Sequence, residues 1–152
     1  MNISVCMKPL VISIPDTYTV RQAAKVFVEK HVGLLPVLDK ENRLVGVMSL
    51  RNLLTLELSD FVNFVADLDF VHDFGAVETT RPPDETLEKS VTTLMGPSVS
   101  VTEDAGLLRT YALLLQHNLH DMPVVSADGK LVGIASRVDI GVAILSTWTK
   151  ED

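Results

Sequence analysis

The chain contains a copy of itself. Shifting the 152-residue sequence by 87 sets residues 31–52 against 118–139 and yields six identities: Pro36/Pro123, Val37/Val124, Leu44/Leu131, Val45/Val132, Gly46/Gly133 and Ser49/Ser136. Ordinary composition gives about one or two over such a stretch. Conservative pairs join them, including Arg43/Lys130, Val47/Ile134 and Asn52/Asp139, and the same shift aligns Ile12-Ser13-Ile14 with Val99-Ser100-Val101. A repeat of this length is one supersecondary unit made twice, so the expected product is two small units fused into one compact body.

Both copies read in the same order. Residues 10–14 form a short apolar run ended by Pro15-Asp16, which predicts a strand. Thr19 with Gln22 three residues on is a capping-box signature, and Val20, Ala23, Ala24, Phe27 and Val28 follow at helical spacing. Residues 34–38 predict a second strand, whose Pro36 suits a strand start or an exposed edge. The turn Asp39-Lys40-Glu41-Asn42 leads into a strand over 44–48, and a helix carrying Leu50, Leu53, Leu54 and Leu58 closes the unit. In the second copy the strand is 99–101, the helical stripe is Leu107, Tyr111, Leu114 and Leu115, and Ala127-Asp128-Gly129 is a hairpin signal between 122–125 and 131–135. The last helix, from 137 to about 147, is apolar almost all round (Val138, Ile140, Val142, Ala143, Ile144, Leu145), so it needs cover on two sides. One side is its own core; a second subunit is the expected cover for the other.

Between the copies the chemistry changes. Residues 55–90 hold nine acidic residues against Arg81 and Lys89, which accounts for the whole net charge of −7. Phe61, Phe64, Val65 and Leu68 keep helical spacing after Ser59, Phe74-Gly75 ends that helix, and 84–94 reads as another short helix with acids in its first turn. Residues 59–94 are therefore expected to be an acidic helical insert between a first repeat (1–58) and a second (95–152). A solvated cover over the core and a docking surface or lid are the two roles open to it.

The negative charge and an isoelectric point near 5.0 argue against nucleic acid as a partner. No run of about 18 apolar residues predicts a membrane span, although hydrophobic content is 47%. The N-terminal residues lack a basic region followed by an apolar stretch, and the single cysteine, Cys6, fits a reducing cytoplasm.

The most informative stretches are 131–139 (Leu-Val-Gly-Ile-Ala-Ser-Arg-Val-Asp) and 44–52 (Leu-Val-Gly-Val-Met-Ser-Leu-Arg-Asn). Each is a buried strand with a glycine that permits close approach, then a serine at a helix N-terminus, then a short polar side chain one turn along. Free N–H groups and the helix dipole favour phosphate at that terminus, and the Asp or Asn is placed to accept from a diol.

This combination resembles the CBS domain, named after cystathionine β-synthase: a β-α-β-β-α unit with a Pro-Val pair, a Leu-Val-Gly and then Ser-x-x-Asp. Two such units look like a CBS pair, or Bateman module, over about residues 5–58 and 90–147. The resemblance implies an α/β (α+β) fold whose repeats pack through three-stranded sheets around a pseudo-twofold axis. It implies two clefts that hold adenine nucleotides in many members: AMP, ADP or ATP, sometimes NAD or S-adenosylmethionine. Carried over, the better nucleotide site joins Gly133, Ser136, Arg137 and Asp139 to Ile12, Ser13, Leu35 and Pro36, with Asp139 on the ribose hydroxyls, Ser136 on phosphate and Arg137 as a second phosphate partner. The other site joins Ser49 and Asn52 to Val99, Ser100, Met122 and Pro123. It is expected to be weaker, because Asn52 replaces the aspartate and lacks the charge that strengthens such hydrogen bonds.

Other residues carry simpler readings. His117 and His120, three apart with Asp121 adjacent, have a spacing that suggests a metal site, but no further ligands complete a set, and polar loop residues after a helix suffice. Asp69, His72 and Asp73 fit a solvated helix face, and Cys6 a small apolar packing residue. His31 is a cation at a helix C-terminus, with a phosphate contact as the alternative. P-loop, nucleophile-elbow and zinc-protease motifs are absent, and no nucleophile, base and orienting group assemble, so no enzyme is expected. The expectation is a cytoplasmic, homodimeric regulatory module without metal or catalytic cofactor, which binds an adenine nucleotide and signals to an effector protein. A ligand-independent dimerisation or docking module is the alternative.

Overall fold

The computed structural model describes residues 1–54, 56 and 81–151. The helix expected around Phe61, Phe64, Val65 and Leu68, its stop at Phe74-Gly75, the cluster Asp69, His72 and Asp73, and Leu58 lie outside the described residues. The first repeat comprises β1 (Ile14–Pro15), α1 (Val20–Lys30), β2 (Leu34–Leu38) and β3 (Leu44–Ser49), followed by α2, which opens at residue 50. After α3 (Asp84–Leu87) come β4 (Val101–Thr102), α4 (Leu107–Gln116), β5 (Asp121–Val125), β6 (Leu131–Ser136) and α5 (Arg137–Leu145). The sheets have the orders β1-β2-β3 and β4-β5-β6; the first pair in each is parallel and the second antiparallel. This is the mixed α/β architecture that the resemblance implies.

The helix starts obey local chemistry. Thr19 Oγ1 accepts from the Gln22 N–H (3.2 Å) while Gln22 Oε1 accepts from the Thr19 N–H (2.8 Å), completing the capping box expected for α1. Buried Val20, Ala23 and Phe27 then face the first core with Ile14, Leu35, Val37 and Met48. In the second repeat Leu107, Leu114, Met122, Val124, Ala135 and Ile140 make the equivalent core.

The first strand of each repeat is shorter than expected, and a proline is the reason. The Asp16 N–H donates to the Leu38 carbonyl (2.8 Å), which puts the backbone groups of residues 38 and 36 on the β1 side of β2. Pro36 has no N–H to extend that ladder backwards, so pairing begins at Ile14↔Val37. Pro123 does the same to β4, whose pairing begins at Val101↔Val124. Both prolines therefore stand inside central strands rather than at a start or an outer edge. Residues 10–13 and 98–100 leave the sheet.

The segments that precede each repeat are exchanged. Residues 3–8 pack on the second repeat: Ile3 is fully buried in its core, and Lys8 pairs with Ile134 through N–H···O contacts of 2.8 and 2.9 Å. Residues 90–96 pack on the first repeat: Val91 is fully buried there, and Gly96 pairs with Val47 at 2.8 and 3.2 Å. The expected helix over 84–94 is consequently two pieces. α3 stops after four residues, and Ser90, whose side chain accepts from the Thr92 N–H, caps a separate 3-10 turn (Val91–Thr93) that enters the first core. Arg21 of α1 holds α3 through Asp84 (3.0 Å) and Glu88 (2.7 Å). Reciprocal bonds join the hairpin tips: the Leu44 N–H donates to Gly129 O (3.0 Å) and the Leu131 N–H to Asn42 O (3.2 Å). These positions interchange under the 87-residue shift, as a pseudo-twofold axis requires.

Candidate functional site

The repeated serine and its partner first serve the helices. Ser136 Oγ accepts from the Asp139 N–H and Asp139 Oδ2 accepts from the Ser136 N–H, both at 3.0 Å, so the pair is the capping box of α5. Ser49 and Asn52 repeat it at α2: the Asn52 N–H donates to Ser49 Oγ (3.1 Å), and Asn52 Oδ1 accepts from the Ser49 N–H and hydroxyl (2.9 Å each). An amide oxygen caps as well as a carboxylate does. The Asp139/Asn52 difference is therefore a difference of charge laid on one geometry.

The glycines of the two stretches admit the chain itself. A Cβ on Gly46 would lie 2.4 Å from Met95 Sδ and 2.9 Å from Gly96 O; one on Gly133 would lie 2.9 Å from Met7 Sδ and 3.1 Å from Lys8 O. Gly133 is thus filled by the exchanged segment, which corrects its expected place in a ligand site.

Clefts lie between the repeats. One, of about 250 Å³, takes Val47, Ser49, Arg51 and Asn52 from the first repeat, Gly96, Pro97 and Val99 from the crossing segment, and His117, Asn118 and Leu119 from the end of α4. A neighbouring cavity of about 410 Å³ shares Ser49, Arg51, Asn118 and Leu119 and adds Leu34, His120 and Asp121 among others. Of the residues expected here, Ser49, Asn52 and Val99 come together. Met122 does not: it is fully buried in the second core. Ser100 and the buried Pro123 also lie outside the lining.

The second cleft, of about 300 Å³, is lined by Leu10, Val11, Ile12, His31, Val32, Gly33, Leu34, Asp121 and Ile134. Ile12 is where it was expected. Leu35 is fully buried in the first core, and Ser13 and Pro36 are not among the lining residues. Side chains alternate across a strand, so a reading displaced by one residue selects the core face. Leu34 and Asp121 are the wall residues; Leu35 and Met122 are their core-facing neighbours. Ser136 and Asp139 do not line this cleft either. Asp139 Oδ1 is 3.6 Å from Lys8 Nζ, whereas Gly96, the structural counterpart of Lys8, has no side chain to set before Asn52.

Arg137 is also corrected. Its Nε donates to Leu119 O (2.7 Å) and its terminal nitrogen to Leu114 O (3.4 Å), so the guanidinium closes the carbonyl end of α4. Arg51 lines the first cleft instead, with His117 opposite, and His117 and His120 serve different cavities. The repeat offset alone would not reveal these walls, but a second Met-x-Pro (Met7-Lys8-Pro9 and Met95-Gly96-Pro97) marks both crossing segments at an offset of 88.

Electrostatics marks Asp121 among the wall residues. Burial pushes the Asp121 carboxyl above the usual carboxylate range; the charge of Asp139 adds to this, against the opposing effects of His120 and Lys8. Burial, then Asp139, also raises the Cys6 thiol, which packs against the second core. Among the described residues no three His, Cys, Asp or Glu side chains group to hold a metal, and no helix is long and apolar enough to cross a membrane.

Known proteins carry the same plan. The chain is 38% identical over 138 residues to the CBS domain-containing protein CBSX2, chloroplastic, of Arabidopsis thaliana and 31% identical over 137 residues to CBSX1, chloroplastic, of the same plant. The matches cover 86% and 87% of this chain but 57% and 58% of those relatives. A crystal structure of the CBS-pair protein CBSX2 from Arabidopsis thaliana superposes with a TM-score of 0.74 at 31% identity, covering 99% of this chain and 98% of that one. A crystal structure of CBSX2 in complex with AMP gives 0.71 at 30% identity, covering 97% and 98%. The CBS domain family model matches residues 3–59 and 89–146, one match for each repeat, and the chain belongs to that family.

Proposed function

We propose that the protein is a regulatory module without chemistry of its own, which binds an adenine nucleotide between its repeats and reports the bound state to a partner protein. The cleft beside Asn52 carries this reading. It brings a helix N-terminus, a hydroxyl, an amide and the Arg51 guanidinium from one repeat against the apolar Pro97 and Val99 and the polar His117 and Asn118. Apolar walls suit a base; the N-terminus and guanidinium suit phosphate. The AMP complex of the similar CBSX2 supports the choice of ligand class. A ligand that joins both repeats favours one arrangement of them over another, which is the requirement for a switch.

Calorimetric and thermal titrations with AMP, ADP, ATP, NAD and S-adenosylmethionine, with and without magnesium, test this. At about 100 times its dissociation constant a bound nucleotide stabilises the fold by about 2.7 kcal/mol, a clear rise in midpoint. Arg51→Ala is expected to weaken AMP at least tenfold. Absence of any shift with all five compounds overturns the reading.

The second reading, docking or dimerisation without a ligand, is favoured by α5. Val138, Val142 and Leu145 follow one another at helical spacing on its outer side, Trp148 stands in the turn after it, and the four are 71%, 59%, 47% and 75% exposed. Such a stripe fits a second copy of the chain, and the proposed assembly is a homodimer. Sedimentation as a monomer at micromolar concentration removes the dimer from the proposal.

A further inference from the structure

Under the 87-residue shift Leu50 stands where Arg137 stands, and the space beside it is filled in one repeat and open in the other. In the second repeat Asn118 follows α4 in the left-handed region (φ 53°), and the Arg137 N–H donates to His120 O (2.9 Å). The half-buried guanidinium then turns back onto Leu119 O and Leu114 O. In the first repeat His31 follows α1 in the same conformation (φ 52°), and the Leu50 N–H donates to Gly33 O (3.1 Å). The backbone is the same; the side chain is not. Leu50 is shorter, carries no donor and is 43% exposed. What remains is an open groove of about 550 Å³ bordered by Phe27, Val28, His31, Val32, Gly33 and Leu50. Position by position these are the counterparts of Arg137 and its surroundings. Among the described residues no hydrogen bond reaches the Val32 carbonyl, the counterpart of Leu119 O.

We propose that this groove receives an arginine side chain from a basic partner protein, seated on the end of α1 as Arg137 is seated on the end of α4. The last carbonyls of a helix carry partial negative charge and favour a cation. The arginine stem suits the apolar walls of Phe27, Val28 and Leu50, and its planar fork reaches two carbonyls at once, which a lysine ammonium does less well. The net charge of −7 attracts a basic partner from a distance. The inference rests on the partner half of the reading above and supplies that partner's chemistry; it does not require a nucleotide.

Amide NMR titrations of the whole chain test it, with N-acetylarginine methylamide as the probe and the N-acetyl methylamides of lysine and norleucine as comparators. The arginine compound is expected to shift the amides of residues 31–33 and 50 saturably, and the norleucine compound to bind about tenfold more weakly for want of charged hydrogen bonds. Leu50→Arg fills the groove from within and is expected to weaken the probe about tenfold. Arg137→Leu opens the matching groove, so a second set of shifts is expected at residues 118–120. Norleucine or lysine binding as tightly as arginine, or unchanged affinity in Leu50→Arg, overturns the arginine seat. Free arginine binding more tightly than its blocked form makes this a small-molecule site and overturns the partner reading. Absence of probe binding in a chain that still binds nucleotide overturns this inference alone; absence of nucleotide binding leaves it standing. Where a variant does not fold, the comparison of compounds on the wild-type chain decides.

Discussion

The two repeats differ least where the fold is made and most where a ligand would sit. Both hold their second helix with a serine-based capping box, both stop the parallel ladder with a proline, and both receive an exchanged segment against a glycine. Around this shared frame the clefts diverge: Arg51 and His117 border one, Ile12 and His31 the other. Duplication fixes the frame because each element must satisfy the same backbone donors and bury the same faces. The cleft-facing positions carry no such obligation and are free to specialise.

The exchange of segments gives the largest expected effects. Ile3→Ala empties a fully buried site in the second core and is expected to cost about 3 kcal/mol; Val91→Ala, removing less volume from the first, about 2 kcal/mol. Urea unfolding monitored separately in the two repeats by amide hydrogen exchange checks the crossing. Ile3→Ala should deprotect β5 and β6 before β2 and β3, and Val91→Ala the reverse. If each change weakens the repeat that follows it in sequence, the exchange is wrong.

The glycines sharpen the same comparison. A Cβ on Gly46 meets Met95 at 2.4 Å and a backbone oxygen at 2.9 Å, while one on Gly133 meets Met7 at 2.9 Å and a backbone oxygen at 3.1 Å. Gly46→Ala is therefore expected to destabilise by about 2–3 kcal/mol and Gly133→Ala by about 1 kcal/mol, the methionine yielding more easily than the carbonyl. Equal midpoints in paired urea titrations would remove the asymmetry.

Much of this frame is legible in the sequence, and the reason is local. Thr19 with Gln22, the helical stripe of α1 and the Asp-Gly hairpin signal each involve residues a few positions apart, whose physics does not depend on the partner. The cleft is less legible because it depends on strand parity and on a crossing. Reading Leu35 and Met122 as walls requires only a one-residue slip, yet it reverses the face. Arg137 beside Ser136 reads as a phosphate partner, but nothing in its own neighbourhood tells that the carbonyls of Leu119 and Leu114 arrive from another element. Gly133 was legible as a site of close approach; that Met7 fills it was not.

The capping boxes separate charge from geometry at about 1 kcal/mol. Asp139→Ala removes the acceptor for the Ser136 N–H and is expected to cost about 1 kcal/mol, whereas Asp139→Asn reproduces the Asn52 arrangement and costs less than half as much. Alanine would therefore lower any ligand-induced thermal shift partly through the fold. The Asn variant tests the carboxylate itself. Equal losses of stability for the two variants, measured by chemical unfolding, would show that the carboxylate charge matters to α5 beyond its cap.

The smallest effect is also the most directional. Burial and the Asp139 charge hold the Asp121 carboxyl above its unfolded range, so the folded state binds that proton more tightly than the unfolded chain does. Stability contributed by this group therefore falls as pH rises through the window between the unfolded carboxylate value and the raised folded one. Above that window the cost is fully present; below it, none remains. Asp121→Asn is thus expected to raise the unfolding midpoint slightly at pH 7, with the gain fading on acidification through the carboxylate range. Leu34, at the matching place in the first repeat, has no proton to exchange, so Leu34→Asn should show no such pH-dependent difference from the wild type. A gain for Asp121→Asn that persists undiminished in acid would assign its effect to packing and remove the charge contrast between the two repeats at this position.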